Sequence, residues 1–123
     1  MATFDHEKLD VYNAAIDFVA LADDVIEHLP RGRGYLADQL QRAATSIALN
    51  IAEGAGEFSK KDKARFCRMA LRSGTECAAL LDVCRKLKLV DEKAASSGRD
   101  LLLGEKPGTG TGTGTGTDEA DDV

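Results

Sequence analysis

The chain has 123 residues, a formal net charge of −5 and charged side chains at 30% of its positions. This length and composition are typical of one small globular domain. No stretch approaches the roughly 18 apolar residues that a membrane span requires, and the opening MATFDHEKLD lacks the basic start and apolar run of a signal peptide. We therefore expect a cytoplasmic protein that has no membrane partner.

The charge is unevenly distributed along the chain. Residues 1–30 carry seven acidic side chains and one basic side chain, for a net charge of −6. Residues 31–88 carry six acidic and twelve basic side chains, for a net charge of +6. A basic middle is therefore flanked by acidic ends, an asymmetry that the net charge of the whole chain hides.

Two helices are predicted in the first half of the chain. Apolar residues recur at helical spacing across residues 9–29, and a proline follows directly. The turn RGRG, residues 31–34, leads to a second helical pattern across residues 36–51. We expect the second helix to end at Gly54, because glycine can adopt the left-handed conformation that closes a helix.

Two further helices are predicted in the second half. Ser59 followed by Asp62 resembles a capping box and predicts the start of a third helix, which ends near Lys88. Asp91 is placed to cap a fourth helix that runs towards Leu103. No segment alternates with a period of two, and the connections are short. The expected fold is all-α, an antiparallel up-down-up-down four-helix bundle with a shortened fourth helix.

The end of the chain differs in composition from the rest. Gly104 and Pro107 stop any helix, and the following Gly/Thr repeat with its acidic end offers too little apolar surface to join a core. We therefore expect the bundle to occupy residues 1–103 and a disordered tail to occupy residues 104–123. A natural tail and a frameshift into repetitive sequence both account for this composition.

The second helix carries no charged residue from Ala43 to Ala52. Short uncharged side chains suit a helix that packs closely on most of its sides, so this helix is predicted to be the most buried of the four. Polar residues at steps of three and four form one stripe along it, and with the following glycine they make a structural or interface motif. The motif consists of Gln39, Arg42, Ser46, Asn50, Glu53 and Gly54.

Asn50 is the residue of this motif that we expect to be buried. A buried amide costs about 1–3 kcal/mol when one of its hydrogen-bonding positions is left unsatisfied. The simplest interpretation is a local hydrogen bond to the loop backbone after Gly54. The alternatives are a contact with another helix or subunit that sets the register, and a catalytic role.

No group of residues indicates an enzyme, a cofactor or a metal site. The sequence Gly54–Gly56 lacks the third glycine and the lysine of a phosphate-binding loop, and it follows a helix instead of a strand. His6 and His28 lie at opposite ends of the first helix, so they cannot share a metal ion. The cysteines are odd in number and include no C-x-x-C, which favours small core or interface thiols. They are Cys67, Cys77 and Cys84.

The segment Asp38–Cys77, DQLQRAATSIALNIAEGAGEFSKKDKARFCRMALRSGTEC, resembles the signature region of the 23S ribosomal RNA intervening-sequence family. The shared pattern, Q-L-x-R-A-A-x-S-I-x-x-N-I-A-E-G, matches residues 39–54, and the resemblance covers roughly residues 4–103. It implies a small bundle that forms a ring-like homo-oligomer, a pentamer, without catalytic residues. The family is similar to the accessory protein of diversity-generating retroelements, which implies RNA or DNA as a partner. Related chains continue the fourth helix, and this chain departs from them after Leu103.

A basic stripe is predicted on the third helix at positions i, i+4, i+7 and i+11. It is formed by Lys61, Arg65, Arg68 and Arg72. The stripe is about 17 Å long and could follow a phosphate backbone, although an ordinary solvated face would have the same pattern. The favoured function is a non-enzymatic, oligomeric, nucleic-acid-associated accessory protein. The alternative is a protein-binding oligomeric scaffold without nucleic-acid contact.

Overall fold

The computed structural model describes residues 2–104, and within them the chain forms four α-helices and no strand. The helices are α1 (Asp10–Glu27), α2 (Gly34–Ala55), α3 (Lys60–Lys86) and α4 (Glu92–Leu102), and a 3-10 helix, Asp5–Lys8, precedes them. The all-α prediction and the shortened fourth helix are confirmed. Residues 105–123 lie outside the described residues, so the disorder expected of the tail stays a prediction.

The order of helix packing is that of a four-cornered bundle. α2 packs against α1 and α3, and α4 packs against α1 and α3, so α1 and α3 occupy opposite corners. Lys63 on α3 contacts the end of α2 at Ala55, whereas Ser73 contacts Ser46 near the middle of α2, so these two helices run in opposite directions. This arrangement is compatible with the expected up-down-up-down order.

The core is formed by apolar residues from all four helices. Phe18, Leu40, Cys77 and Cys84 are the largest side chains that are almost completely buried. Eight residues of α2 are buried, against four on α1, five on α3 and two on α4. The prediction that the second helix is the most buried is confirmed. No helix in residues 2–104 combines the length and apolar character needed to cross a membrane.

Two predicted helix caps are present. The Ser59 side chain accepts a hydrogen bond from the backbone N–H of Asp62 at 3.0 Å, at the start of α3. The Asp91 carboxylate accepts one from the backbone N–H of Ala94 at 2.7 Å, at the start of α4. Each bond satisfies one of the backbone donors that a helix start leaves without an intrahelical partner.

The predicted role of Gly54 is wrong. Gly54 lies inside α2, which continues to Ala55 and is followed by Gly56 with a φ of −89°, so no left-handed glycine closes this helix. Gly54 is buried because α2 and α3 approach closely there: a Cβ atom on it would lie 3.0 Å from the Cβ atom of Phe66. The requirement for glycine at this position is a close contact between helices.

Candidate nucleic-acid interface

The four residues of the basic stripe all lie on α3, and all four side chains are exposed. α3 turns its buried residues, among them Ala70, Cys77 and Cys84, towards the core. The stripe lies on the other side of the helix, since residues that step by three and four share one face. Within residues 2–104, no carboxylate oxygen lies within 4.0 Å of a charged side-chain nitrogen of the stripe. The stripe is therefore a row of solvent-facing cations whose charges are not neutralised by ion pairs in the described chain.

Two contacts hold the start of the stripe in place. The guanidinium carbon of Arg65 lies 4.9 Å from the ring centroid of Phe66, a cation–π distance that restricts the arginine. Phe66 is half-buried, and it packs on Gly54 of α2. Gly54 therefore supports the stripe indirectly: its missing side chain lets Phe66 approach α2, and Phe66 in turn lies beneath Arg65.

The α2 motif borders a shallow hollow of about 530 Å³ on the surface of the bundle. Its lining comes entirely from α2 and includes four of the six predicted motif residues, Arg42, Ser46, Asn50 and Glu53. Gln39 is exposed on the same helix but does not line the hollow, and Gly54 faces α3 instead. The structure thus brings most of the predicted polar stripe together at one open surface.

Asn50 is buried, with 8% of its surface exposed, as expected, but its hydrogen bonds differ from the expected ones. Its Nδ2 atom donates to the backbone carbonyl of Ser46 at 2.8 Å and to the Ser46 Oγ atom at 2.9 Å. The expectation of a bond to the loop after Gly54 is therefore wrong. The amide bonds to its own helix, one turn earlier, and leaves no buried side-chain atom unsatisfied in the described residues.

A serine on α3 extends this polar cluster across the helix pair. Ser73 Oγ donates to Ser46 Oγ at 3.0 Å, so Ser46 joins Asn50 on α2 to Ser73 on α3. Ser73 directly follows Arg72, the last residue of the basic stripe. The hollow and the end of the stripe are therefore neighbours. Sequence reasoning missed Ser73 because its contact depends on how two helices are aligned, which no local spacing reveals.

Among the residues that the structure describes, two cysteines and one histidine have shifted pKa values. Burial raises the pKa of Cys77 to about 12 and also raises the pKa of Cys84, so both remain protonated thiols at neutral pH. Cys67 is exposed, so the expectation that it is a core thiol is wrong, and its role at an interface stays a prediction. His28 Nδ1 donates a hydrogen bond to the backbone carbonyl of Asp24, and this bond, together with the Asp24 carboxylate, raises the pKa of the exposed His28. In residues 2–104, no three His, Cys, Asp or Glu side chains are grouped as metal ligands would be.

The chain matches a known family model over most of its length. The family model described as 23S rRNA-intervening sequence protein matches residues 7–103, which include all four helices and every residue of the stripe and the motif. No curated protein matches the chain.

Proposed function

Because the chain belongs to the 23S rRNA-intervening sequence protein family, we propose that it is a small non-enzymatic accessory protein that associates with RNA through the basic stripe of α3. The observation that carries this proposal is the stripe itself: four exposed cations in one row, with no carboxylate within 4.0 Å in the described chain. Cations that are not already paired can neutralise phosphates without first breaking an internal ion pair.

The expected mode of binding is contact with the phosphate backbone. Each phosphate that a lysine or arginine neutralises releases counterions, which makes the affinity fall as salt is added. Four contacts to a single strand predict a slope of log K against log salt of about −3 per protomer. Phe66 is half-buried under Arg65, and Phe58, which is fully exposed three residues before Lys61, offers only a stacking surface that tolerates any base. We therefore expect little dependence on RNA sequence.

The acidic first helix does not oppose this mode. α1 occupies the corner of the bundle opposite α3, so the width of the bundle separates its carboxylates from the stripe. At physiological ionic strength, interactions between exposed charges fall off over about 8 Å. The net charge of −5 therefore does not determine the local electrostatic potential at the surface of α3, where RNA would bind.

Reversal of charge within the stripe tests the proposal. The triple variant Arg65→Glu, Arg68→Glu, Arg72→Glu is compared with wild type by fluorescence anisotropy of a labelled single-stranded RNA at two salt concentrations. A matched control, Lys8→Glu, Arg31→Glu, Lys93→Glu, changes the net charge equally at three exposed, scattered positions. We expect binding to be lost in the stripe variant and weakened only slightly in the control. Equal losses in the two variants, or wild-type binding in the stripe variant, would show that the stripe is only a solvated face.

The alternative, a protein-binding oligomeric scaffold, is supported by a different observation. Large apolar side chains are exposed on α2 and α3, among them Leu49, Met69 and Leu71. Such residues are candidates for contacts between subunits or with a partner protein. We propose a homo-oligomer in either case, and the family resemblance implies five copies. Light scattering gives the number of copies, and an oligomer that binds no RNA even at 50 mM salt would favour the scaffold.

A further inference from the structure

The chain contains an acidic segment that matches the basic stripe in charge. Residues 118–122, DEADD, hold four carboxylates and no basic side chain. The stripe holds four cations with no carboxylate partner within 4.0 Å in residues 2–104. The acidic segment and the stripe thus carry equal numbers of charges of opposite sign, and both belong to the same polypeptide.

The end of α4 brings the chain close, along the axis of α3, to the C-terminal end of the stripe. A Cβ atom on Gly98 would lie 2.7 Å from Leu81 of α3, and Glu92 pairs with Arg85 at 3.8 Å, so α4 runs back along α3. Leu103 lies five residues beyond Gly98, which brings it about level with residue 76 of α3. Arg72 is then about 6 Å further along the axis. The described chain therefore ends close to the C-terminal end of the stripe.

The length of the intervening chain is sufficient. Fourteen residues lead from Gly104 to Asp118, and ten of them, residues 108–117, are glycine and threonine only. Fourteen residues can span at most about 50 Å, whereas the path to Arg72, including half a turn around the surface of α3, is roughly 20 Å. The segment from Asp118 to Asp122 can itself extend over roughly 14 Å, which is close to the length of the stripe.

We propose that residues 118–122 dock on the basic stripe of the same chain, where they compete with RNA. The docking follows from charge and reach alone, whereas the competition rests on the proposed function. Because a tethered group has an effective concentration of the order of millimolar, even weak ion contacts occupy the stripe for part of the time. RNA must then displace the acidic segment, and the protein binds RNA more weakly than the stripe alone would.

The docking is tested without RNA, by cross-linking of the full chain. A carbodiimide joins a carboxylate to an amine that it contacts, and Lys61 is the amine of the stripe. At 20 mM salt we expect a cross-link between residues 118–122 and Lys61, which mass spectrometry identifies and 500 mM salt suppresses. Lys61→Arg keeps the charge and should remove this cross-link. A mixture of isotope-labelled and unlabelled chains distinguishes links within one chain from links between copies. Absence of the link, or links between copies only, would overturn the proposal.

The competition is tested by RNA binding. The variant Asp118→Asn, Glu119→Gln, Asp121→Asn, Asp122→Asn should bind labelled single-stranded RNA about threefold or more tightly than wild type at 50 mM salt, and the gain should shrink as salt rises. A matched control, Asp10→Asn, Asp17→Asn, Asp23→Asn, Glu27→Gln, removes four charges from α1, at the opposite corner. An equal gain in RNA affinity in both variants would show that only the net charge of the protein matters, and it would overturn the proposed competition. A cross-link in a protein that binds no RNA would refute the proposed function and leave the docking intact.

Discussion

Gly54 and Gly74 lie in neighbouring helices, but their surroundings differ. A Cβ atom at Gly54 would meet the Cβ atom of Phe66 at 3.0 Å, whereas a Cβ atom at Gly74 would meet nothing within 4 Å. The Cβ atom of Phe66 is fixed to the backbone and cannot rotate away, so α2 and α3 would have to separate. At Gly74, by contrast, a methyl group would only reduce the backbone freedom of the unfolded chain.

We therefore predict opposite effects of alanine at these two positions. Gly74→Ala should raise the free energy of unfolding by about 0.5–1 kcal/mol, the usual gain in helix propensity. Gly54→Ala should lower it by about 1 kcal/mol or more, because the strain of overpacking exceeds that gain. Urea denaturation followed by circular dichroism measures both. A stabilising Gly54→Ala would mean that the two helices separate at little cost and that Phe66 does not need the glycine.

At the scale of the helices, Ser46, Asn50 and Ser73 form a part-buried polar cluster that joins α2 to α3. Asn50 donates both of its bonds to Ser46, and Ser73 donates to the same hydroxyl. The donors therefore converge on two acceptors, the carbonyl and the hydroxyl oxygen of Ser46. Position 50 therefore suits a side chain that donates hydrogen bonds, or an apolar side chain that forms none.

Two substitutions of Asn50 by residues of similar size, leucine and aspartate, test whether position 50 needs a hydrogen-bond donor or only excludes an acceptor. Asn50→Leu should change the free energy of unfolding by less than about 1.5 kcal/mol, because no buried donor is left unpaired. Asn50→Asp should cost about 2 kcal/mol or more at pH 7, since it turns a negative acceptor towards two oxygens. Ser73→Ala is the control that removes the link between helices and keeps the Asn50 bonds. If Asn50→Asp proves as stable as Asn50→Leu, the amide is not acting as a donor.

The sequence was a reliable guide to features that depend on one helix and a poor guide to those that depend on two. The caps at Ser59 and Asp91 were predictable because cap and donor are three residues apart. The basic stripe was predictable because helical geometry alone places its members on one face. Asn50 is an exception on a single helix, because its partner is Ser46, one turn earlier on α2, and not the loop after Gly54. The role of Gly54 was wrongly predicted, and the contact between Ser73 and Ser46 was missed, because both arise from the approach of α3 to α2. Local spacing holds no information about that approach.

At the scale of the whole molecule, the short fourth helix leaves the bundle unevenly covered. α4 has 11 residues, against 27 in α3, so it covers roughly 16 Å of a helix that is about 40 Å long. Beyond its end, Leu71 of α3 is 71% exposed and Leu103 is 62% exposed. The space that a Cβ atom at Gly74 would enter is also empty. These features are expected of a groove that a longer fourth helix would fill.

Lengthening α4 should therefore stabilise the protein. The change replaces residues 104–113 by a ten-residue helical segment with leucine at positions 105, 108 and 112, which continue the face of Gly98 and Leu101. Burial of these leucines and of the exposed side chains beneath them should add about 2–4 kcal/mol to the free energy of unfolding and raise the melting temperature by roughly 10 °C or more. We also expect a narrower distribution of oligomers in light scattering, because less apolar surface remains for irregular contacts.

Two matched variants decide whether the groove is the cause. An extension of the same composition with its leucines moved to the opposite face adds the same helix but should leave the melting temperature almost unchanged. Deletion of residues 108–123 should change the free energy of unfolding by less than about 0.5 kcal/mol, since exposed ion contacts contribute little to stability. If the deletion destabilises the bundle and the correctly faced extension does not stabilise it, the tail already packs in the groove. The shortened α4 would then be only part of the fourth side of the bundle.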